Sequence, residues 1–269
     1  MLIDTIVSDM DDTLLNDDCQ LSPYTVDVLR RCTERGIRVI PASGRAMNSM
    51  LPYLKQLNTG CPAIGCNGAQ LIAPDLTLMR CLDFDADLAK ELCAFMEENG
   101  FYVQVYKDDY FYYATECEPS KQYKKSSGMK GKPVGDLQAF ITFPTPKVLG
   151  ITHPEEVARI LPIAEERFKG RAAFSVSKPY FLEAEPPKVS KGNALRELSK
   201  IIGIDPEKTL VFGDSLNDLS MLAFTPNSVA MENGRNEVKA AARYICQPNH
   251  QDGVAKFIEE YVLTKEEKL

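Results

Sequence analysis

Short runs rich in Ile and Val alternate with amphipathic stretches through the first 68 residues. LIDTIVSD (2–9) is apolar and ends at an acid, the pattern of a buried strand running into a loop. Ser22-Pro23 then supplies an N-cap and a first-turn proline, and Gly36 stands where a C-terminal glycine would. Between them Val26, Leu29 and Cys32 share one face of a predicted helix. IRVIPA (37–42) reads as a second strand and ends at Ser43-Gly44. A helix through Met47, Met50, Leu51 and Leu54 leads to a third strand, AIGC (63–66), and to the turn Asn67-Gly68. Strand–helix alternation of this kind predicts a parallel sheet with helices on its faces.

The pattern changes between residues 83 and 187. A helix over Leu88–Glu98 is followed by FYVQVYKDDYFYYA (101–114), which reads as a hairpin turning at Asp108-Asp109. After a basic, polar stretch from Lys121 to Lys132 come strand-like runs around 138–143 and 147–152. A helix from Glu155 to Phe168 and two further runs, AAFSVS (172–177) and YFLEAE (180–185), complete this part. From Ser190 the parallel pattern resumes: helix Lys191–Ile202, strand TLVFGD (209–214), a helix through Leu219 and Leu222, strand SVAM (228–231), helix Glu237–Ala242, strand YIC (244–246) and a helix Gly253–Val262. The polar tail LTKEEKL (263–269) reads as a frayed end. The expected architecture is α/β, with a Rossmann-like parallel-sheet core from residues 1–82 and 188–269 and an inserted α+β domain at 83–187.

Composition narrows the function classes. The 269 residues are 44% hydrophobic and 26% charged, an ordinary globular balance. A net charge of −7, with both signs mixed along the chain, argues against a dedicated nucleic-acid or anionic-membrane surface. The N-terminal segment carries acids where a leader would carry bases, and no apolar run reaches the roughly 18 residues of a membrane span. Eight cysteines occur without a CxxC pair, and Cys32, Cys66 and Cys93 sit inside apolar runs. They read as reduced thiols of a cytoplasmic protein. The only histidines, His153 and His250, lie in polar or proline-containing segments without suitable partners. A Ser-His-Asp hydrolase and a histidine zinc site are therefore disfavoured, and neither GxGxxG nor GxxxxGK[ST] is present.

Carboxylates remain as the carriers of chemistry. Ligands of open parallel sheets sit beyond the carboxyl ends of the strands. The residues at those ends are Asp9-Met10-Asp11-Asp12-Thr13, Ser43-Gly44-Arg45, Asn67-Gly68, and Gly213-Asp214-Ser215-Leu216-Asn217-Asp218, with Lys191 opening a helix back into the core. Several carboxylates cannot share a small volume fully ionised without a cation. Oxygen ligands with no cysteine or histidine suit Mg²⁺. A lysine and a hydroxyl beside them would bind a phosphoryl group.

The sequence resembles the haloacid dehalogenase-like hydrolases. DMDDTL (9–14) is similar to their DxDxT motif, Ser43 in IPASGR to their second motif, Lys191 in VSKGNAL to the third and GDSLND (213–218) to the fourth. The insert between Ser43 and Lys191, with NGA at 67–69 ahead of it, resembles the cap of the Cof-type subfamily. The resemblance implies that Asp9 attacks phosphorus to form an aspartyl-phosphate, and that Asp11 acts as general acid and then base. It implies Mg²⁺ held by Asp9, the backbone carbonyl of Asp11 and Asp214, with Asp218 acting through a water. It implies phosphate contacts from Ser43, Asn217, Lys191 and the backbone N–H groups of Met10 and Gly44. Arg45, next to Ser43, is by its position a candidate for reaching an anionic substrate. Two positions depart from the family: Asp12 stands where Gly is frequent, and so does Lys188, which we read as solvated. The tyrosines of the insert (Tyr106, Tyr110, Tyr112, Tyr113, Tyr123) read as sheet surface or core, and the lysines Lys121, Lys124 and Lys125 as a solvated face.

The expected function is a Mg²⁺-dependent phosphatase acting on small phosphomonoesters, sugar phosphates or cofactor phosphates, as a monomer or homodimer and with a cap that closes over the site. The competing readings are a phosphomutase of the same superfamily and a non-catalytic phosphate-binding regulatory protein.

Overall fold

The computed structural model describes residues 2–264, so 265–269 of the tail read as frayed lie outside it. The chain divides into two compact units, one formed by residues up to Met79 together with those from Ser190 onward, the other by Arg80–Val189.

In chain order the first unit begins with β1 (Thr5–Asp9), α1 (Pro23–Glu34), β2 (Arg38–Ala42), α2 (Met47–Leu57), β3 (Ala63–Gly65) and β4 (Gln70–Ile72), and β5 (Leu78–Cys81) spans the boundary at Met79. The insert contributes α3 (Ala86–Glu98), β6 (Tyr102–Lys107), β7 (Tyr110–Tyr113), α4 (Glu118–Ser127), β8 (Lys130–Pro133), α5 (Leu137–Phe140), β9 (Val148–Ile151), α6 (Pro154–Arg167), β10 (Ala173–Ser175) and β11 (Phe181–Glu185). The first unit then resumes with α7 (Lys191–Ile202), β12 (Thr209–Gly213), α8 (Leu219–Leu222), β13 (Asn227–Met231), α9 (Asn236–Ala241), β14 (Tyr244–Cys246) and α10 (Gly253–Ile258).

Eight strands form the core sheet in the order β14-β13-β12-β1-β2-β3-β4-β5. From β14 to β3 every pairing is parallel, and β4 folds back antiparallel on β3. Alternate residues of each strand feed two apolar layers. Ile6 packs with Val28, Leu29 and Cys32 of α1, Met50 and Leu54 of α2 and Phe257 of α10. Val7, on the opposite face, packs with Ala194, Leu195 and Leu198 of α7, Met221 of α8 and Val238 of α9. Strands covered on both faces explain why these runs are apolar throughout. The insert is a six-stranded sheet, β10-β11-β9-β6-β7-β8, mostly antiparallel, with α3 and α6 packed on one face around Phe95, Met96, Val105 and Phe168. The fold is thus a Rossmann-like parallel-sheet core with an inserted α+β cap domain.

The structure differs from the sequence reading at several elements. The apolar run 138–143 forms no strand: Asp136 caps the short helix α5 by accepting from Ala139 N at 2.9 Å. The basic stretch from Lys121 to Lys132, to which no element was assigned, runs through α4 and into β8. Residues 70–81, to which no element was assigned, form two strands at the sheet edge. Among the described residues no helix is long and apolar enough to cross a membrane.

Candidate active site

β1 lies between β12 and β2, where the chain order across the sheet reverses. Strand β1 ends at Asp9, in register with Ala42 just before Ser43, and β12 ends one residue before Asp214. Past this switch point the chain leaves the sheet and backbone groups open outward, the usual ligand position in such folds.

Asp9, Asp214 and Asp218 are all buried, with one oxygen from each lying within 4.8 Å of the others. Lys191, 1% exposed at the first turn of α7, donates to Asp9 Oδ1 and, at 2.6 Å, to Asp218 Oδ1. Lysine is the sole hydrogen-bond partner of the Asp9 side chain among the described residues, so Oδ2 has none. Asp218 Oδ2 accepts from the backbone N–H groups of Asp214 and Ser215, each at 3.0 Å. Its Cβ lies where Gly213 leaves room: a Cβ at 213 would stand 2.5 Å from it. Asp214 accepts from Thr13 Oγ1 at 2.9 Å and from Ser215 Oγ at 2.8 Å.

Three buried carboxylates faced by one ammonium leave negative charge unbalanced, and the titration shifts follow. Burial, with the charge of Asp218 second, holds Asp9 well above the usual carboxylate range, against the opposing pull of Lys191. Burial and Asp218 push Asp214 up to about 7. Burial alone would lower the Lys191 ammonium, but Asp218 and Asp9 outweigh it and hold the lysine above its ordinary value. A divalent cation seated among hard oxygen donors is the group that would relieve this imbalance.

The turn after β1 positions the second aspartate. Leu15 N donates to Met10 O at 2.8 Å, closing a wide turn over Met10–Leu14, and the Met10 side chain is fully buried in the core. Inside it Asp11 is extended (ψ 132) and Asp12 is left-handed (φ 58). Glycine is the usual residue for that conformation, and aspartate is among the few others that tolerate it. This accounts for Asp12 at a position where the family often has Gly: its side chain is exposed, and its carbonyl accepts from Asn233 Nδ2 at 2.8 Å.

Asp11 is gripped by Arg45 in a two-pronged pair, Nε to Oδ2 at 2.8 Å and Nη2 to Oδ1 at 2.6 Å. Arg45 also donates to Ser49 Oγ at 3.1 Å and stacks on the Tyr53 ring, 5.4 Å from its centroid. Ser43, fully buried, accepts from Arg45 N at 3.1 Å through its hydroxyl, whose own proton has no acceptor among the described residues. Gly44 faces Asn67, whose Oδ1 accepts from Asn217 Nδ2 at 2.9 Å. The sequence-derived residues thus fall into a carboxylate–lysine cluster (Asp9, Lys191, Asp214, Asp218), a pair (Asp11–Arg45) and an amide group (Ser43–Gly44 with Asn217). Lys188 is exposed. Thr13 and Ser215, which orient Asp214, were assigned no role from the sequence, although both lie inside its motifs. Asn67 appeared there only as a strand-end amide.

The haloacid dehalogenase-like hydrolase family model matches residues 6–258. The 5-amino-6-(5-phospho-D-ribitylamino)uracil phosphatase YitU of Bacillus subtilis is 29% identical, the match covering 95% of this chain and 96% of that one. The HMP-PP phosphatase of Serratia proteamaculans is 26% identical over 94% of this chain and 93% of its own. A haloacid dehalogenase-like hydrolase from Bacteroides thetaiotaomicron superposes with a TM-score of 0.86 at 28% identity, covering 96% of this chain and 99% of that structure. The matched span runs from β1 through the insert to α10 and takes in every strand end that bears the cluster. The chain belongs to the haloacid dehalogenase-like hydrolase family, among its Cof-type members, and is a phosphoric monoester hydrolase.

Proposed function

We propose that the protein is a Mg²⁺-dependent phosphatase that hydrolyses small phosphomonoesters, sugar phosphates or cofactor phosphates, through an aspartyl-phosphate on Asp9. The observation that carries this is the buried Asp9, whose Oδ1 is held by Lys191 while Oδ2 has no hydrogen-bond partner among the described residues. One oxygen fixed and one open is the arrangement a nucleophilic carboxylate needs.

The donor set fits the metal. Asp9 and Asp214 offer carboxylate oxygens, and the backbone carbonyl of Asp11 is the third ligand we assign. Asp218 already has Lys191 on one oxygen and two backbone N–H groups on the other, which supports a contact through a water rather than a direct one. When bound, Mg²⁺ supplies charge neutralisation for the carboxylates and the phosphoryl oxygens.

In the first step Asp9 Oδ2 bonds to phosphorus and the ester P–O bond breaks, its oxygen taking a proton from Asp11. In the second, water attacks phosphorus and gives its proton to Asp11, and the bond to Asp9 breaks to release inorganic phosphate. Ser43, Lys191, Asn217 and the backbone N–H groups of Met10 and Gly44 hold the phosphoryl oxygens meanwhile. The two-pronged pair with Arg45 holds Asp11 as a carboxylate, so Arg45 has to release it, as when meeting an anionic substrate, before Asp11 carries the proton of the first step.

The Bacillus and Serratia relatives are named for small phosphorylated metabolites, which supports the substrate class. All eight cysteines are free thiols, which supports a reducing, cytoplasmic setting. Asp9→Asn should abolish turnover of an aryl phosphate, and Asp11→Asn should lower it about 10²–10⁴-fold. Activity should vanish in EDTA and return with Mg²⁺. Near-normal turnover by Asp9→Asn removes the nucleophile, and turnover that persists in chelator removes the metal.

A further inference from the structure

The turn after β3 holds two consecutive left-handed residues that are not glycine, Cys66 (φ 46) and Asn67 (φ 52), followed by Gly68 at φ 104. One such residue is uncommon, and two in succession are held only where surrounding structure imposes them. Here the surroundings are the loops that carry the phosphate-binding candidates. Asn67 N donates to Ser43 O at 3.0 Å. A Cβ on Gly44 would stand 3.0 Å from Asn67 Oδ1, and one on Gly68 would stand 2.3 Å from the carbonyl oxygen of Ser190, next to Lys191. Asn67 Oδ1 accepts from Asn217 Nδ2 at 2.9 Å, across 150 residues of sequence. The turn therefore touches the loop after β2, the start of α7 and the loop after β12.

The bond to Asn67 has a particular consequence for Asn217. It is the only side-chain hydrogen bond Asn217 makes among the described residues, and Asn217 Oδ1 is buried without a partner. An amide turned by 180° exchanges a donor for an acceptor with almost no change of shape. With Asn67 presenting Oδ1, the Asn217 amide turns Nδ2 toward it, and the second Nδ2 hydrogen has no side-chain acceptor among the described residues and can meet a phosphoryl oxygen.

We propose that Asn67 is a positioning residue for the phosphoryl group: its Oδ1 fixes the Asn217 amide with an N–H toward the substrate, and the strained turn keys the three loops together. The inference rests on the assignment of Asn217 as a phosphate ligand, and the experiment separates the two.

Asn67→Gly is the informative variant, since glycine accepts the left-handed backbone and removes only the side chain. With Mg²⁺ present, an aryl phosphate as substrate and inorganic phosphate as competing ligand, Asn67→Gly should raise KM and the phosphate inhibition constant about tenfold, the size of one lost hydrogen bond to a charged group. kcat should change less, and Tm should not fall. Asn217→Ala should show a similar loss, and the double variant should be no weaker than Asn217→Ala alone. Phosphate affinity within twofold of wild type for Asn67→Gly overturns the inference. So do losses that add in the double variant, or a Tm that falls together with affinity, since both mark a merely structural turn. An Asn217→Ala enzyme with unchanged phosphate affinity instead removes the Asn217 assignment, and the inference with it.

Discussion

Lys191 shows how much rests on one buried charge. Its ammonium is shared between Asp9 and Asp218, all three side chains lying out of solvent. Lys191→Met keeps the length and loses the charge, leaving two carboxylates without their counter-ion. Removing one partner of a buried pair costs about 3–5 kcal/mol. The lower end is expected here, because Asp9, already pushed up by burial, can take a proton instead of staying charged. Chemical denaturation without metal should show the loss, with turnover abolished as well; an unchanged midpoint would mean that Lys191 does not neutralise the cluster. The thiols follow a simpler rule. Burial pushes Cys32 up to about 11 and Cys246 up to about 12, so at pH 8 hardly any thiolate is present at either. Iodoacetamide should label the half-exposed Cys19, Cys61, Cys81 and Cys117 first, and Cys32, Cys66, Cys93 and Cys246 only after unfolding. Peptide mass spectrometry reads this directly, and early labelling of Cys32 would contradict its burial between α1 and the parallel sheet. The burial of Cys32, Cys66 and Cys93 was legible from their apolar neighbours. The hydrogen bonds of Thr13 and Asn67 were not, because sequence names a polar side chain but not the group it faces 201 or 150 residues away.

At the scale of elements, α1 shows where local chemistry is decisive. Ser22 accepts from Thr25 N at 3.0 Å, Pro23 follows it, and Gly36 at φ 78 lies beyond the helix end. The cap is tied further, since Ser22 Oγ donates to Asp252 Oδ1 at 2.6 Å and Thr25 Oγ1 to the same oxygen at 3.0 Å. Ser22→Ala removes a helix cap and should cost about 0.5–2 kcal/mol in thermal or denaturant unfolding, with turnover unaffected. A larger loss would show that the Asp252 link contributes more than the cap. Elements with such signals, or with buried apolar runs, were readable: β1, α1, β2, α7, β12 and β13 stand where the sequence places them. In the insert α3, the β6–β7 hairpin, β9, α6 and β11 also stand where the sequence places them, whereas β5 and β8 were set by partners. β5 is an edge strand whose Leu78 and Met79 are 45% and 43% exposed, so no burial pattern marks it. β8, KGKP, is a strand because it pairs with β7, and Gly131 fits over the Phe111 ring, where a Cβ would stand 2.4 Å away. In 138–143 the apolar content outweighed the capping signal of Asp136, which nucleates α5.

For the molecule as a whole, the reading from alternation alone reached the parallel sheet, because strands covered on both faces can hardly look otherwise. The inserted sheet was legible as a change of pattern, but its strand order was not, since antiparallel pairings such as β6 with β9 join segments some forty residues apart. What the structure adds is that the apolar clusters do not mix. Phe95, Phe101, Val105, Phe168 and Leu182 form one within the insert, while the clusters on the two faces of the parallel sheet draw only on the first unit. Separate cores predict separable stabilities. Phe168 is fully buried, 5.4 Å from Phe95 edge to face and 6.0 Å from Phe174. Phe168→Ala should therefore remove about 3–5 kcal/mol from the insert alone. Native-state hydrogen exchange should show amides of β6, β9 and β11 losing protection by an amount in that range, while those of β1, β2 and β12 keep theirs. Uniform acceleration across both sheets would instead show that the chain unfolds as one cooperative block, with the insert contributing its stability to the parallel sheet that carries Asp9.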